Sequence, residues 1–354
     1  MKGRIVIMAG GTGGHVFPAL AVAQEMRERG WQVSWLGTRK GLESRVIPAN
    51  GIDIDWLSVE GIRGKGLWSK IVAVVKLMQA CLQARQVIRQ RAPDVMLGMG
   101  GFVAGPGGLM AKLMGIPLIV HEQNRVPGTT NRWLVKLAVR KVLEAFPGSF
   151  AGSVQAVCTG NPLRKEFNES PERIIWQPQS DKPLNILILG GSLGAKVLNE
   201  NIPEALSSFP NMNIKHQTGA AMRMEVAQRY SDLGLQAEVL AFIEDMPAAY
   251  RWADLIICRA GAMTVSEVAA SGLPAIFVPL ANAIDDHQTA NARYLCDAGA
   301  ALLIPQSELN AVNIRTAINK AMTELAAMSR AAKNKARLDA TAAVADFCIG
   351  ETIR

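Results

Sequence analysis

The residues of this sequence best suited to chemistry stand at or near glycine-rich runs. Gly10-Gly11-Thr12-Gly13-Gly14-His15 ends in one of only four histidines in the chain, and Gly190-Gly191-Ser192-Leu193-Gly194-Ala195 has a similar form. Glycine at a strand-to-helix turn permits positive φ and close approach to a phosphate, and the following helix N-terminus adds N–H donors and partial positive charge. Such turns can hold a diphosphate. A histidine on the first turn would project into a cleft between domains, where an imidazole suits removal of a proton from an alcohol. The competing role for His15 is to cap or shield the helix start. Thr264-Val265-Ser266-Glu267 also has two readings. It has capping-box spacing, yet Glu267 also falls one turn into a helix after Gly261, in reach of the two hydroxyls of a ribose whose phosphates sit at that helix start. Asp285-Asp286-His287-Gln288 contains metal-ligand residue types. Adjacent residues cannot all converge on one ion, so we read it as a polar loop that supplies hydrogen bonds.

These turns need strands before them and helices behind them, and the hydropathy pattern provides both. Residues 5–8 form a short β-rich run before the first turn, with Pro18 and a helical pattern over 20–29 after it. Residues 185–189 repeat the arrangement. The echo continues: 95–101 leads through a glycine-rich turn to Gly115-Ile116-Pro117 and a strand, and 255–261 leads through a helix to Gly272-Leu273-Pro274 and a strand. Alternating strands and helices predict parallel sheets covered on both faces, an α/β fold of two doubly wound halves. The length of 354 residues fits two domains. We expect a first domain over 1–160, a polar linker over 161–183 carrying Pro162, Pro171, Pro178 and Pro183, a second domain over 184–340, and a C-terminal helix over 341–354 that could pack on the first domain.

Composition narrows the function. Apolar residues make up 49% and charged residues 19%, which excludes global disorder, and no apolar run approaches the length needed to span a bilayer. The first residues, Met1-Lys2-Gly3-Arg4, lead straight into a strand-like run without a signal-peptide pattern, so a cytoplasmic protein is expected. Five scattered cysteines without C-x-x-C spacing point to reduced fillers rather than disulfides or zinc. Charge is uneven: residues 1–160 hold 20 Lys and Arg against 9 Asp and Glu, whereas the remainder holds 18 against 21. No acidic residue lies between Glu60 and Asp94, while Arg63, Lys65, Lys70, Lys76, Arg85, Arg89 and Arg91 do. Among them Leu67, Trp68, Ile71, Val72, Val75, Met78 and Leu82 recur at helical spacing. Two readings compete here. The apolar stripe packs on the core, or the start of the helix, with Leu67, Trp68, Ile71 and Val75 flanked by Lys65, Lys70 and Lys76, meets an anionic membrane surface. Arg132, Trp133, Lys136, Leu137, Arg140 and Lys141 would widen that patch if they fold nearby. Few aromatic residues and no recognised motif argue against nucleic acid.

A dinucleotide oxidoreductase fits poorly, because the second strand, 33–36, runs into Gly37-Thr38-Arg39-Lys40 where an acidic ribose partner would stand. No Walker-type G-x-x-x-x-G-K-[ST] occurs either. A more specific resemblance comes from seven motifs in order: the first glycine run with His15, Gly100-Gly101-Phe102, His121-Glu122-Gln123-Asn124, Gly160-Asn161-Pro162-Leu163-Arg164, Gly190-Gly191-Ser192, the run from Arg259 to Glu267, and Asp285-Asp286-His287-Gln288. Over nearly its whole length the chain resembles the MurG family, glycosyltransferase family 28. Leu193 departs from the pattern, since the family usually has glutamine there, and this removes a hydrogen-bonding side chain while leaving the backbone N–H groups of the turn unchanged.

The resemblance implies a GT-B architecture of two Rossmann-like domains facing across a cleft, the first binding acceptor and membrane and the second binding the nucleotide sugar. It implies inverting transfer of N-acetylglucosamine from UDP-N-acetylglucosamine to the MurNAc-pentapeptide of undecaprenyl-pyrophosphoryl lipid I, giving lipid II for peptidoglycan at the cytoplasmic face of the plasma membrane. By the same resemblance the backbone at Ile243 recognises uracil, Glu267 takes the ribose hydroxyls, and the run Ala262, Met263, Thr264, Val265 and Ser266 carries the helix start that meets the diphosphate. Arg164 and Ser192 match donor-site positions, Gln288 and Asn291 hold sugar hydroxyls, and Thr12, Gly13, Gly14 and Asn124 close over the donor from the other wall. His15 is the expected base. No cofactor is expected to be essential, and a divalent metal is optional. Two other classes stay open at this point: a UDP-N-acetylglucosamine epimerase on the same scaffold, and a non-catalytic, membrane-associated nucleotide-sugar sensor.

Overall fold

A computed structural model of the chain describes residues 2–59, 67–137, 139–150, 152–168, 173, 175–177, 182–191, 194–281 and 286–352. The chain divides into two units, one made of Met1–Arg164 with Arg337–Arg354, the other of Lys165–Ala336. Lys65, Ser192, Leu193 and Asp285 lie outside the described residues, and of Leu67–Ile71 only the helical backbone is described.

The first unit is built on seven strands, β1 Arg4–Ala9, β2 Gln32–Gly37, β3 Asp53–Trp56, β4 Val95–Gly100, β5 Leu118–Glu122, β6 Lys141–Glu144 and β7 Ala156–Cys158. Its helices are α1 Gly13–Glu28, α2 Glu43–Ala49, α3 Leu67–Arg91, α4 Ala104–Leu113 and α5 Thr129–Lys136. Sheet order is β3-β2-β1-β4-β5-β6-β7, with every pairing parallel. Side chains alternate across a strand, and here both faces are covered. Ile5 and Ile7 of β1 pack with Val16, Leu20 and Ala23 of α1, whereas Val6 and Met8 pack with Ala84 and Ile88 of α3 and Ala104 and Ala111 of α4. This is why β1 reads as an unbroken apolar run.

The second unit has β8 Leu184–Leu189, β9 Met212–Gln217, β10 Ala237–Leu240, β11 Leu255–Cys258, β12 Ala275–Phe277 and β13 Ala301–Leu303, in the parallel order β10-β9-β8-β11-β12-β13. Its helices are α6 Lys165–Asn168, α7 Lys196–Leu206, α8 Arg223–Asp232, α9 Met246–Trp252, α10 Ala262–Ser271, α11 His287–Cys296 and α12 Ala311–Lys335. The last helix, α13 Ala340–Gly350, belongs to the first unit, where Val344, Ala345 and Cys348 join the core beside α1.

Three expectations are corrected. The 161–183 segment is not a free linker in its described parts. Asn161, Pro162 and Leu163 are buried in the first unit, and Phe167 stacks edge-on against Tyr250 in the second at 5.3 Å. Arg173 also anchors there: its guanidinium donates to the carbonyls of Tyr250 at 2.7 Å, Ser271 at 3.2 Å and Ala253. Secondly, the core reading of the apolar stripe on α3 fails where side chains are described. Val75, Met78 and Leu82 are 58%, 62% and 64% exposed, while the core takes Ala84, Val87 and Ile88 from the same helix. Thirdly, Arg140, itself exposed, pairs with Glu351 at 2.8 Å and Lys141 lies over the Phe347 ring, both toward the C-terminal segment, while Arg132, Trp133 and Lys136 are exposed on α5.

Candidate functional site

In each sheet the strand order reverses between the first and fourth strands, which are neighbours, and open parallel sheets take ligands beyond the carboxyl ends of such a pair. In the first unit that position holds the turns after β1 and β4. Thr12 is the N-cap of α1, its carbonyl accepting from the N–H of His15 at 3.1 Å and of Val16 at 3.2 Å. Gly13, Gly14 and His15 thus form the first helical turn, whose leading N–H groups at Gly13 and Gly14 precede the first intrahelical acceptor. The His15 ring lies against Gly100, where a Cβ would stand 2.9 Å from the imidazole, and Gly100 has φ +103. Both constraints call for glycine. The Nδ1 of His15 is 2.8 Å from Gln123 Oε1.

Buried carboxylates hold this edge of the sheet. Glu43 accepts from the N–H of Gly11 at 3.0 Å, and from the N–H and hydroxyl of Thr38 at 2.9 and 2.8 Å. Gly10 and Gly41 leave the room it fills. Glu122, at the end of β5, accepts from the N–H groups of Asn124 at 2.9 Å and Gly128 at 3.0 Å and from the Asn131 amide at 2.9 Å. Asn124 therefore stands in a loop that Glu122 braces. Glu43 was not singled out from the sequence, since an isolated Glu carries no pattern, and Glu122 entered only within the run His121-Glu122-Gln123-Asn124. Arg164 ends the first of the two chain segments that make up the first unit.

In the second unit the corresponding position lies between the turn after β8 and the start of α10. Gly261 is the N-cap of α10, so Ala262, Met263 and Thr264 occupy its first turn. That placement removes the capping-box reading, because Thr264 is inside the helix and Glu267 is in its second turn. Glu267 accepts from the Tyr250 hydroxyl at 3.3 Å. The Val265 side chain is buried and its N–H donates to the Gly261 carbonyl at 3.0 Å, so it shapes the turn from within. Ser266 returns its hydroxyl to the Ala262 carbonyl at 3.0 Å.

Gln217, at the end of β9, ties two parts of this site together. Its amide donates to the Gly191 carbonyl at 2.9 Å and accepts from the Ile243 N–H at 2.8 Å. Of the Ile243 backbone groups, the N–H is therefore already engaged. Asn291 is fully buried and donates to the Ala260 carbonyl at 3.3 Å, which places it beneath the turn into α10 as a support. Gln288 accepts from the Leu280 N–H at 3.0 Å, which directs its amide hydrogens elsewhere. Just before it, Asp286 adopts φ +47, a strained conformation for a non-glycine residue. Arg259 donates to the carbonyls of Val278 and Pro279, and burial lowers its pKa.

Comparison with known proteins decides the family. The model of the glycosyltransferase family 28 N-terminal domain matches residues 5–142, and that of the family 28 C-terminal domain matches residues 185–346. The chain belongs to glycosyltransferase family 28. It is a hexosyltransferase, and its two parallel-sheet units are the two Rossmann-like domains of the GT-B class. This transferase is 59% identical over 356 residues, covering 99% of both chains, to a Methylococcus capsulatus protein named "UDP-N-acetylglucosamine--N-acetylmuramyl-(pentapeptide) pyrophosphoryl-undecaprenol N-acetylglucosamine transferase". A Shewanella frigidimarina protein of the same name is 50% identical over 98% of this chain and 96% of its own. The crystal structure of Acinetobacter baumannii MurG superposes with a TM-score of 0.83 at 44% identity, over 98% of this chain and 99% of that one. The epimerase and sensor readings are not favoured.

Proposed function

We propose that this transferase moves N-acetylglucosamine from UDP-N-acetylglucosamine to the MurNAc-pentapeptide of undecaprenyl-pyrophosphoryl lipid I, forming the β-1,4 linkage of lipid II. The observation that carries this is the 59% identity, end to end, with a protein named for that reaction. The chemistry is a direct displacement. His15 Nε2 takes the proton of the acceptor hydroxyl, whose oxygen bonds to the anomeric carbon as the bond from that carbon to the UDP phosphate oxygen breaks and its electron pair leaves with UDP. One displacement inverts the anomeric centre, and no glycosyl-enzyme forms.

The second unit holds the donor. The first-turn N–H groups of α10, at Ala262, Met263 and Thr264, face the diphosphate, with the helix dipole favouring the charge that develops on UDP. Glu267 accepts from the ribose hydroxyls, the Ile243 carbonyl accepts from the uracil N3–H, and the Gln288 amide donates to the sugar. Arg164 and Ser192 complete the donor contacts, Asn291 acts from below the turn, and Thr12, Gly13, Gly14 and Asn124 line the acceptor side. These donors already meet the leaving charge, so a divalent metal is optional in this scheme.

The enzyme works as a peripheral protein at the cytoplasmic face of the plasma membrane, where its acceptor is anchored. Among the described residues no helix is long and apolar enough to cross a membrane. Support for a surface contact comes from α3, whose exposed Val72, Val75, Met78 and Leu82 share the helix with exposed Lys76, Arg85 and Arg89. Lys65, Leu67, Trp68, Lys70 and Ile71 extend that sequence pattern toward the start of the helix. The test is UDP release from UDP-N-acetylglucosamine in the presence of a soluble lipid I analogue. Acceptor-dependent release with a disaccharide product is expected. Turnover of the donor without acceptor, or binding without release, would overturn the proposal.

A further inference from the structure

We propose that Gln123 and His121 are positioning residues that hold His15 in its Nδ1–H tautomer, leaving the lone pair on Nε2. The proposal rests on His15 being the base. It follows from two backbone carbonyls whose roles in hydrogen bonds are unambiguous.

His121 is buried at the end region of β5, with its Nε2 2.9 Å from the Gly160 carbonyl oxygen. A carbonyl only accepts, so His121 Nε2 carries the hydrogen. Burial lowers the His121 pKa to about 4, so the ring is neutral near pH 7 and its Nδ1 is a bare acceptor. The Gln123 amide nitrogen sits 3.0 Å from that Nδ1 and 2.9 Å from the backbone carbonyl oxygen of His121. Both amide hydrogens are thereby engaged.

The second carbonyl fixes the amide independently. Rotating the Gln123 amide by 180° would bring its oxygen against the His121 carbonyl oxygen at about the same separation, two acceptors with no proton between them. One orientation satisfies every contact, and it turns Oε1 toward His15 Nδ1 at 2.8 Å. An amide oxygen only accepts, so His15 Nδ1 carries the hydrogen. A neutral imidazole has one N–H. Nε2 is then the basic nitrogen before the reaction, and taking the acceptor's proton there leaves the Nδ1–H bond to Gln123 intact. Partners 108 residues apart in sequence thus set which nitrogen reacts.

The test begins with wild-type enzyme. Only four histidines, His15, His121, His216 and His287, contribute imidazole signals, so nitrogen-15 spectra of histidine-labelled protein at pH 8 can be assigned with single His→Gln variants. His15 is expected to show a protonated Nδ1 and a bare Nε2, and His121 the opposite pattern. In Gln123→Met, which keeps bulk but offers His15 no oxygen acceptor, the His15 signals should move toward the Nε2–H form. Turnover should fall by about tenfold or more, without exceeding the ~10²–10⁴ loss from deleting a base, and UDP affinity should be unchanged. A wild-type His15 with its proton on Nε2 would overturn the inference while leaving the base role standing. Unaltered His15 signals and turnover in Gln123→Met would do the same. Full activity in His15→Ala would instead remove the base role itself.

Discussion

The carboxylate of Glu43 holds the backbone N–H of Gly11 at 3.0 Å, so a donor of the first glycine turn is engaged by the protein's own anion. In the second unit α10 starts after its N-cap Gly261, and the Glu267 carboxylate in its second turn accepts from the Tyr250 hydroxyl at 3.3 Å. The carboxylates near these two helix starts thus have different partners, a backbone N–H in one unit and a tyrosine hydroxyl in the other.

Glu43→Gln replaces one carboxylate oxygen with an amide nitrogen, which confronts a backbone N–H with another donor. Leaving a buried donor unmatched costs ~1–3 kcal/mol. The variant should lose stability in that range in urea unfolding. It should also lose turnover, because the turn carrying His15 is no longer pinned, while UDP affinity measured by calorimetry stays at the wild-type value. Equal unfolding midpoints would show that the contact is dispensable.

Glu267→Ala and His15→Ala should separate binding from chemistry. Glu267 lies in the second turn of α10, where its carboxylate can take two ribose hydroxyls. Its loss should weaken UDP binding by ~1.5–3 kcal/mol, roughly tenfold or more. His15→Ala should lower turnover by ~10²–10⁴ with UDP affinity intact. If calorimetry found UDP affinity unchanged in Glu267→Ala, the ribose assignment would fail and the carboxylate would serve the fold, with Tyr250 among its partners.

Exposed apolar side chains on α3 should drive membrane association jointly with the cations beside them. Each basic group near an anionic surface contributes ~1 kcal/mol. Lys76→Glu with Arg85→Glu should therefore weaken binding to vesicles containing phosphatidylglycerol by roughly 30-fold or more, and Val75→Ser with Met78→Ser should weaken it without altering the salt dependence. Activity on a soluble acceptor analogue should be spared in both. Wild-type vesicle binding by the charge-reversed protein would refute the basic patch.

Much of the fold was legible because parallel strands buried on both faces must be apolar throughout. Residues 5–8 and 185–189 carry that pattern, and the glycine runs after them mark the turns where the backbone must leave the sheet. His15 was legible for the same reason. Its partner was not, because Gln123 reaches it from the loop directly after β5, 108 residues away, and no local spacing records the contact. Glu43 escaped notice likewise, since its acceptor role depends on the room left by Gly10 and Gly41. The stripe on α3 shows a different limit: periodicity reveals an apolar face but not what covers it. For Asn291, the family resemblance implied a sugar contact, and its burial with a bond to the Ala260 carbonyl gives it a supporting place.

Two buried histidines make stability depend on pH in a direction that can be worked out. Burial holds the His121 imidazole down to about 4 and the His216 imidazole, beside the Tyr230 hydroxyl at 3.0 Å, to about 3. In the unfolded chain a histidine takes its proton near pH 6.5. Below that pH the unfolded state binds protons that the folded state refuses, so stability is intact above about 6.5 and falls as pH drops toward 4 and 3. At ~1.4 kcal/mol per pH unit for each group, the loss by pH 5 is roughly 2 kcal/mol apiece. The urea midpoint should therefore drop between pH 7.5 and 5. In His216→Gln, whose side chain does not titrate, the drop should be about half as large even if the absolute midpoint also changes. A midpoint independent of pH across that interval in the wild-type protein would mean that neither histidine is held neutral by its burial.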